Sequence, residues 1–289
     1  MCRYKLHRAN VISLRSPTAI GLGLRIPHYQ HIFSEWPDVE FFEIISENFM
    51  GTAELPRKNL QKILNRYPVV LHGVGLGIAS AGPLNFEYLK KLKDLADLCD
   101  APYVTDHLCW TVAEGINHHD LLPFPYTEEN ANFIADRAAQ VQDFLQRPFG
   151  LENLSSYVSF KNSVMSEWGF YNQVIEKSGC HYMLDINNIF VSGVNHGFNP
   201  KDYLASIHWS KVLQCHIAGH SVREDGSLLD THDAPVREEV WELFTEAWQL
   251  SGGFRTLLER DAKIPDFSEV FAEAQLSKMY RGEEVKIAR

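Results

Sequence analysis

The sequence predicts an α/β chain folded as a single (β/α)8 TIM barrel, and three observations lead there. Eight short apolar runs recur along the chain, at 20–24, 40–45, 69–72, 103–107, 149–152, 182–185, 212–217 and 256–259. The stretches between them repeat apolar residues at helical spacing. The 289 residues contain no linker, low-complexity tract or internal repeat, so one barrel accounts for them better than several smaller domains.

The runs are four to six residues long and nearly continuous in apolar character, as strands buried on both faces of a parallel sheet should be. Ahead of the fifth run, Phe133, Ile134, Ala138, Val141, Phe144 and Leu145 fall on one helical face. Val236, Val240, Leu243, Phe244, Ala247 and Trp248 do the same ahead of the eighth. Pro235 suits the first turn of that helix, and Asp266 with Glu269 has the spacing of a capping box for the last. The longest connection, 109–125, follows the fourth strand and carries Trp110, His118, His119 and Asp120. Residues 1–17 read as a basic leader without the apolar core of a signal peptide, and 18–289 as one catalytic barrel domain.

A net charge of -10 with scattered lysines and arginines counts against a nucleic-acid partner. No apolar run approaches the roughly 18 residues needed to cross a bilayer. Five cysteines without a CxxC spacing argue against a disulfide framework and for a reducing, cytoplasmic setting.

Barrel chemistry occurs at the C-terminal rim, and there the third to eighth strands end in His72, His107, Glu152, Asp185, His216 and Glu259. Any one of these alone reads as a salt-bridge partner or a core histidine. Together they would repel and be desolvated at the barrel mouth, and a multivalent cation relieves both costs. The loop after strand seven adds His220, Asp230, His232 and Asp233, and Asn188 stands three residues after Asp185. Asn188, Asp230 and His232 form a third, more exposed group of candidate ligands. Glu47 and Asn48, after strand two, read as groups that support the ligands or meet substrate. The GVGLG run at 73–77 lacks the Lys-Ser/Thr of a phosphate loop and reads as a tight turn after a strand. Histidine and carboxylate without cysteine suit zinc, iron or manganese; zinc implies hydrolysis and iron permits oxygen chemistry.

The segments GLGLRIPHY (21–29), FFEIISENFM (41–50), LHGVGLGIAS (71–80), TDHLCW (105–110), HDLLPFPYT (119–127), LENLSSY (151–157), LDINNIFVS (184–192), HIAGH (216–220) and DTHD (230–233) stand in one order. Together they resemble the multinuclear non-haem iron-dependent oxidative enzymes, the family that includes the methanobactin-type oxazolone synthases. The likeness runs from about residue 18 to 281. It implies a barrel of the xylose isomerase/endonuclease IV type with two or three iron ions, mixed Fe(II)/Fe(III), at its mouth. On the related endonuclease pattern His72, His107 and Glu152 hold one metal. Glu152 bridges to a second held by Asp185, His216 and Glu259, and Asn188, Asp230 and His232 hold the third. Asn188 departs from the histidine of the zinc nucleases. Glu47, Asn48, Asp106 and His220 are the candidate catalytic residues. The implied reaction is dioxygen-dependent oxidation of a ribosomally made precursor peptide at cysteine, in RiPP biosynthesis, aided by a separate peptide-recognition protein. Such a partner predicts an exposed apolar patch near the barrel mouth. The alternatives are a zinc-dependent hydrolase or nuclease and a sugar isomerase-like metalloenzyme.

Overall fold

The structure is a computed structural model that describes residues 12–51, 54–113 and 115–283. Most of the expected leader, 1–11, therefore lies outside the described residues. Eight parallel strands form the barrel: β1 (Ile20–Gly23), β2 (Phe41–Ile45), β3 (Val69–Gly73), β4 (Val104–His107), β5 (Phe149–Glu152), β6 (His181–Asp185), β7 (Val212–Ile217) and β8 (Thr256–Leu258). Each pairs with the next, and β8 closes on β1. All the expected strands are present, to within one residue at either end.

The helices α1 (Tyr29–Glu35), α2 (Glu54–Leu64), α3 (Phe86–Cys99), α4 (Glu128–Leu145), α5 (Glu167–Ser178), α6 (Ile186–His196), α7 (Pro200–Ser206), α8 (Glu238–Ser251) and α9 (Phe267–Tyr280) cover the sheet. Between sheet and helices lies the main apolar core, with Ile44, Leu71, Leu151 and Leu184 from the strands against Leu92, Val141, Val174 and Phe244 from the helices. No helix among the described residues is long and apolar enough to cross a membrane.

A second, small apolar cluster of Phe41, Val70, Tyr103 and Leu257 plugs the lower lumen. Because side chains alternate along a strand, the residues two positions on turn the same way. Those residues are Glu43, His72, Thr105 and Glu259, so the lumen changes from apolar to polar within one layer. A β-bulge at residue 213, where the register passes from Tyr182↔Val212 to Met183↔Gln214, sets Gln214 and His216 on that polar side.

Three local expectations differ from the structure. Helix α8 begins after Arg237, so Pro235 lies ahead of it rather than in its first turn. Asp266 is the N-cap of α9 but makes no side-chain capping bond, so no capping box forms. Phe133 is 41% exposed, off the core face of α4, and the Arg137 guanidinium lies 4.9 Å over its ring. The 109–125 connection folds as an antiparallel hairpin of Trp110–Ala113 and Ile116–Leu122. Cys99, Cys109, Cys180 and Cys215 are free and buried.

Candidate metal centre

The strand ends converge as parallel neighbours in a closed barrel must. His72 from β3 and His107 from β4 approach Glu152 from β5, each through Nε2, at 3.1 and 3.3 Å from Glu152 Oε2. Their other ring nitrogens are held from behind. His72 Nδ1 donates to Thr105 Oγ1 at 2.8 Å, a hydroxyl that itself donates to the Leu71 carbonyl, and His107 Nδ1 donates to the Gly73 carbonyl at 3.1 Å. A carbonyl only accepts, so the proton is on Nδ1 and Nε2 presents its lone pair. Burial, with the neighbouring imidazoles, pushes His72 well below its ordinary pKa; burial also lowers His107.

Across the lumen, Glu152, Asp185, His216 and Glu259 form a second group whose ligand-type atoms lie within 4.8 Å of one another. His216 turns Nδ1 to Glu259 Oε2 at 3.2 Å and Nε2 to Glu43 Oε1 at 2.9 Å. Gln214 donates to the other Glu43 oxygen, and Tyr103 donates to Gln214 Oε1 at 2.8 Å. Burial opposes a charge on His216, yet Glu259, Glu43 and Glu152 outweigh it and raise its pKa well above the ordinary value. Burial pushes Glu152 and Asp185 upward.

Asp185 also caps α6: its Oδ1 accepts from Asn188 N at 2.7 Å. Asn188 Nδ2 donates to the Asn153 carbonyl, which leaves Asn188 Oδ1 facing the centre. His232 has its Nε2 2.7 Å from Asp230 Oδ1 and its Nδ1 3.2 Å from Asp261 Oδ2. Asp261 was not foreseen, and with His232 and Glu259 it makes a third cluster. A close approach seats this segment: a Cβ on Gly219 would stand 2.1 Å from the Ala234 carbonyl oxygen, and His232 N donates to the Gly219 carbonyl. A cavity of about 310 Å³ opens onto His72, His107, Glu152, Asn188, Asp230, His232 and Glu259.

Residues 19–281 match the family described as RiPP precursor modification enzyme MbnB/TglH/ChrH. The chain belongs to this family. Among its relatives, a UPF0276 protein of Caulobacter vibrioides is 46% identical over 268 residues, 92% of this chain and 95% of the relative. Another, of Acaryochloris marina, is 41% identical over 270 residues, 93% of this chain and 97% of the relative. Among solved structures, D-psicose 3-epimerase with D-tagatose from Clostridium cellulolyticum H10 superposes with a TM-score of 0.61 at 11% identity, covering 91% of this chain and 98% of that one. A xylose isomerase-like TIM barrel from Mycobacterium smegmatis in complex with magnesium gives 0.58 at 10% identity, covering 91% and 98%. At such identities the likeness is one of fold.

In this MbnB/TglH/ChrH chain a second polar cluster adjoins the first. Glu47 Oε1 accepts from Tyr88 Oη at 2.6 Å and from Val74 N at 2.9 Å, while Asp106 Oδ2 accepts from Tyr88 Oη at 3.3 Å and from Leu76 N at 3.2 Å. The GVGLG run is the cradle for these acids. A Cβ on Gly73 would stand 2.2 Å from Asp106 Oδ2, and one on Gly75 2.9 Å from Glu47 Oε1. Two carboxylates occupy the backbone donors that a phosphate loop would offer to phosphate. Burial, then Glu47, raises Asp106 well above the carboxylate range.

The other two candidate catalytic residues stand apart from this cluster. Asn48 is exposed on the turn Ser46–Asn48. His220 is buried against Phe190, and its Nδ1 bonds Asn187 Oδ1 at 2.7 Å, while Asn187 Nδ2 donates to Asp230 Oδ1. Burial holds His220 down to about 4, so its imidazole is a neutral prop for Asp230.

Proposed function

We propose that this chain binds two or three iron ions at the barrel mouth and uses dioxygen to oxidise a cysteine of a ribosomally made precursor peptide. One observation carries the metal. Glu152 Oε2, Asp185 Oδ2, Asn188 Oδ1, His216 Nδ1 and His232 Nε2 are buried and make no well-aligned hydrogen bond, even where a polar atom stands as close as the 2.7 Å between His232 Nε2 and Asp230 Oδ1. Buried polar atoms are almost always satisfied, and five from five different residues that face one another fit cations. His72, His107 and Glu152 would hold one ion, Asp185, His216 and Glu259 with Glu152 a second, and Asn188, Asp230 and His232 a third.

Iron, when bound, supplies one-electron chemistry with dioxygen and a seat for a substrate thiolate, whose pKa a cation lowers. The family supplies the substrate class, since its members modify RiPP precursors. Protein groups do the rest. The cavity of about 310 Å³ admits a side chain rather than a folded domain, which suits cysteine on an extended peptide. Asp106 and Glu47 are both bonded to Tyr88 Oη, which fixes the two carboxyl groups and leaves Glu47 Oε2, without a partner of its own, as an acceptor for substrate. Val74, Ile116, Val158, Val164 and Val222 are exposed on connections that follow barrel strands, the side on which a separate recognition protein would dock.

Metal analysis with Mössbauer spectra of an iron-57 preparation, and oxygen uptake with a cysteine peptide encoded beside the gene, test this reading. Two to three irons in mixed valence and peptide-dependent uptake are expected. Zinc alone, with no uptake by the iron-loaded chain, overturns it.

A further inference from the structure

Beside the metal-facing cavity lies a larger one of about 850 Å³, between the 73–77 loop and the 110–122 hairpin. The two share Val74, Asp120 and Leu121 in their walls. Arg137, on α4, lines the larger cavity and is only 7% exposed. Its Nη1 donates to the Gly82 carbonyl at 2.5 Å, and among the described residues its buried Nε has no partner and its Nη2 no hydrogen bond. No acidic side chain among the described residues pairs with it. Arg260, also buried, faces Glu273, and the partly buried Arg25 faces Asp261 and Glu259. A buried cation without a counter-ion is costly, and a guanidinium with free donors on adjacent nitrogens matches a carboxylate in two parallel bonds.

We infer that this cavity is a substrate subsite in which Arg137 binds a carboxylate of the peptide whose neighbouring side chain enters the metal-facing cavity. The assignment rests on the peptide-modifying reading above. Glu47 does not contradict it. Its Oε1 is already taken by Val74 and Tyr88, and its unpartnered Oε2 would accept an amide N–H. A peptide end or an acidic residue offers both groups at once. Thr111, 2% exposed with its Oγ unpartnered, adds a third free polar atom to the wall.

The test uses probes without a thiol, so that it stands apart from metal and turnover: N-acetyl-Ala-Gly, its C-terminal amide, and N-acetyl-Ala-Asp-amide. Each is titrated into the full chain, with binding read by calorimetry and by the Nε–H resonance of Arg137 in arginine-labelled protein. An acid should bind about tenfold tighter than the neutral amide, as loss of a charge-assisted pair implies. Arg137→Gln should erase that difference and Arg137→Lys keep part of it. A response to N-acetyl-Ala-Gly alone assigns a C-terminal carboxylate; a response to the aspartyl probe assigns a side chain. Equal affinities for acid and amide, or an Arg137 resonance that no probe moves, overturns the subsite. If Arg137→Gln fails to fold, the wild-type resonance decides. Loss of the iron chemistry would leave a positive result here intact.

Discussion

Glu43 Oε1 lies 2.9 Å from His216 Nε2, inside the barrel and below the strand ends. A carboxylate only accepts, so Nε2 of that imidazole carries a proton toward Glu43, and a cation at the centre would take Nδ1, toward Glu152 and Glu259, in place of its proton. The arrangement is a carboxylate–histidine pair of the kind that fixes a metal-binding ring, and Gln214 and Tyr103 fix the carboxylate in turn. Glu43→Gln should therefore weaken metal binding by about 10- to 100-fold while the fold persists. Competition against a graded series of chelators measures it; an unchanged affinity would remove Glu43 from the centre.

Glu152 stands between two of the three candidate ligand clusters, whereas Asp230 pairs with one of the histidines, the outermost His232. Glu152→Ala or His216→Ala should lower bound metal and abolish peptide oxidation. Asp230→Ala should deplete one ion and leave two. Metal-to-protein ratios by mass spectrometry decide, and loss of every ion from Asp230→Ala would contradict the division of ligands.

The strand-end residues were legible because a barrel puts every strand's C-terminal end at one mouth, so His72, His107, Glu152, Asp185, His216 and Glu259 could be gathered without knowing any distance. Glu43 and Gln214 were not singled out. Their signal was present, a charge within FFEII and an amide two residues before His216, but mid-strand position reads as core unless the alternation is followed downward from the rim. Asp261 escaped for a different reason. It lies two residues beyond Glu259 in an irregular segment, where spacing has no period to read. The capping box at Asp266 matched in spacing, yet the side chain makes no bond, since a cap depends on a rotamer that sequence does not specify. The glycines at 73 and 75 looked like a turn because the two carboxylates they accommodate come from β4 and from the turn after β2.

Those glycines carry a stability prediction. An alanine at 73 places its Cβ 2.2 Å from Asp106 Oδ2 and 3.0 Å from Tyr88 Oη, so one side of the cluster must move. Gly73→Ala should cost about 1–3 kcal/mol, the range for overpacking a filled site. Combined with Asp106→Ala, which empties the contested space, the two losses should be less than additive. Urea unfolding of the single and double variants measures the coupling; strict additivity would mean that Asp106 does not require the glycine.

Away from the metal, Glu167 at the start of α5 accepts from Tyr203 Oη at 3.1 Å and from Tyr126 Oη at 3.2 Å. Burial outweighs both bonds and pushes its carboxyl from the ordinary 4.5 up to about 7. Between these two values the folded chain holds a proton that the unfolded chain has released. Stability should then fall as pH rises from about 4.5 to about 7, and level off above, by an amount on the order of 3 kcal/mol for this group. Other groups titrate in the same range, so the quantity to measure is the difference between wild type and Glu167→Gln, which cannot ionise. Urea midpoints of the metal-free proteins at pH 5, 6, 7 and 8 should show the glutamine variant gaining on wild type as pH rises. A difference that stays constant across that range would mean the two tyrosine hydroxyls stabilise the anion enough to cancel its burial.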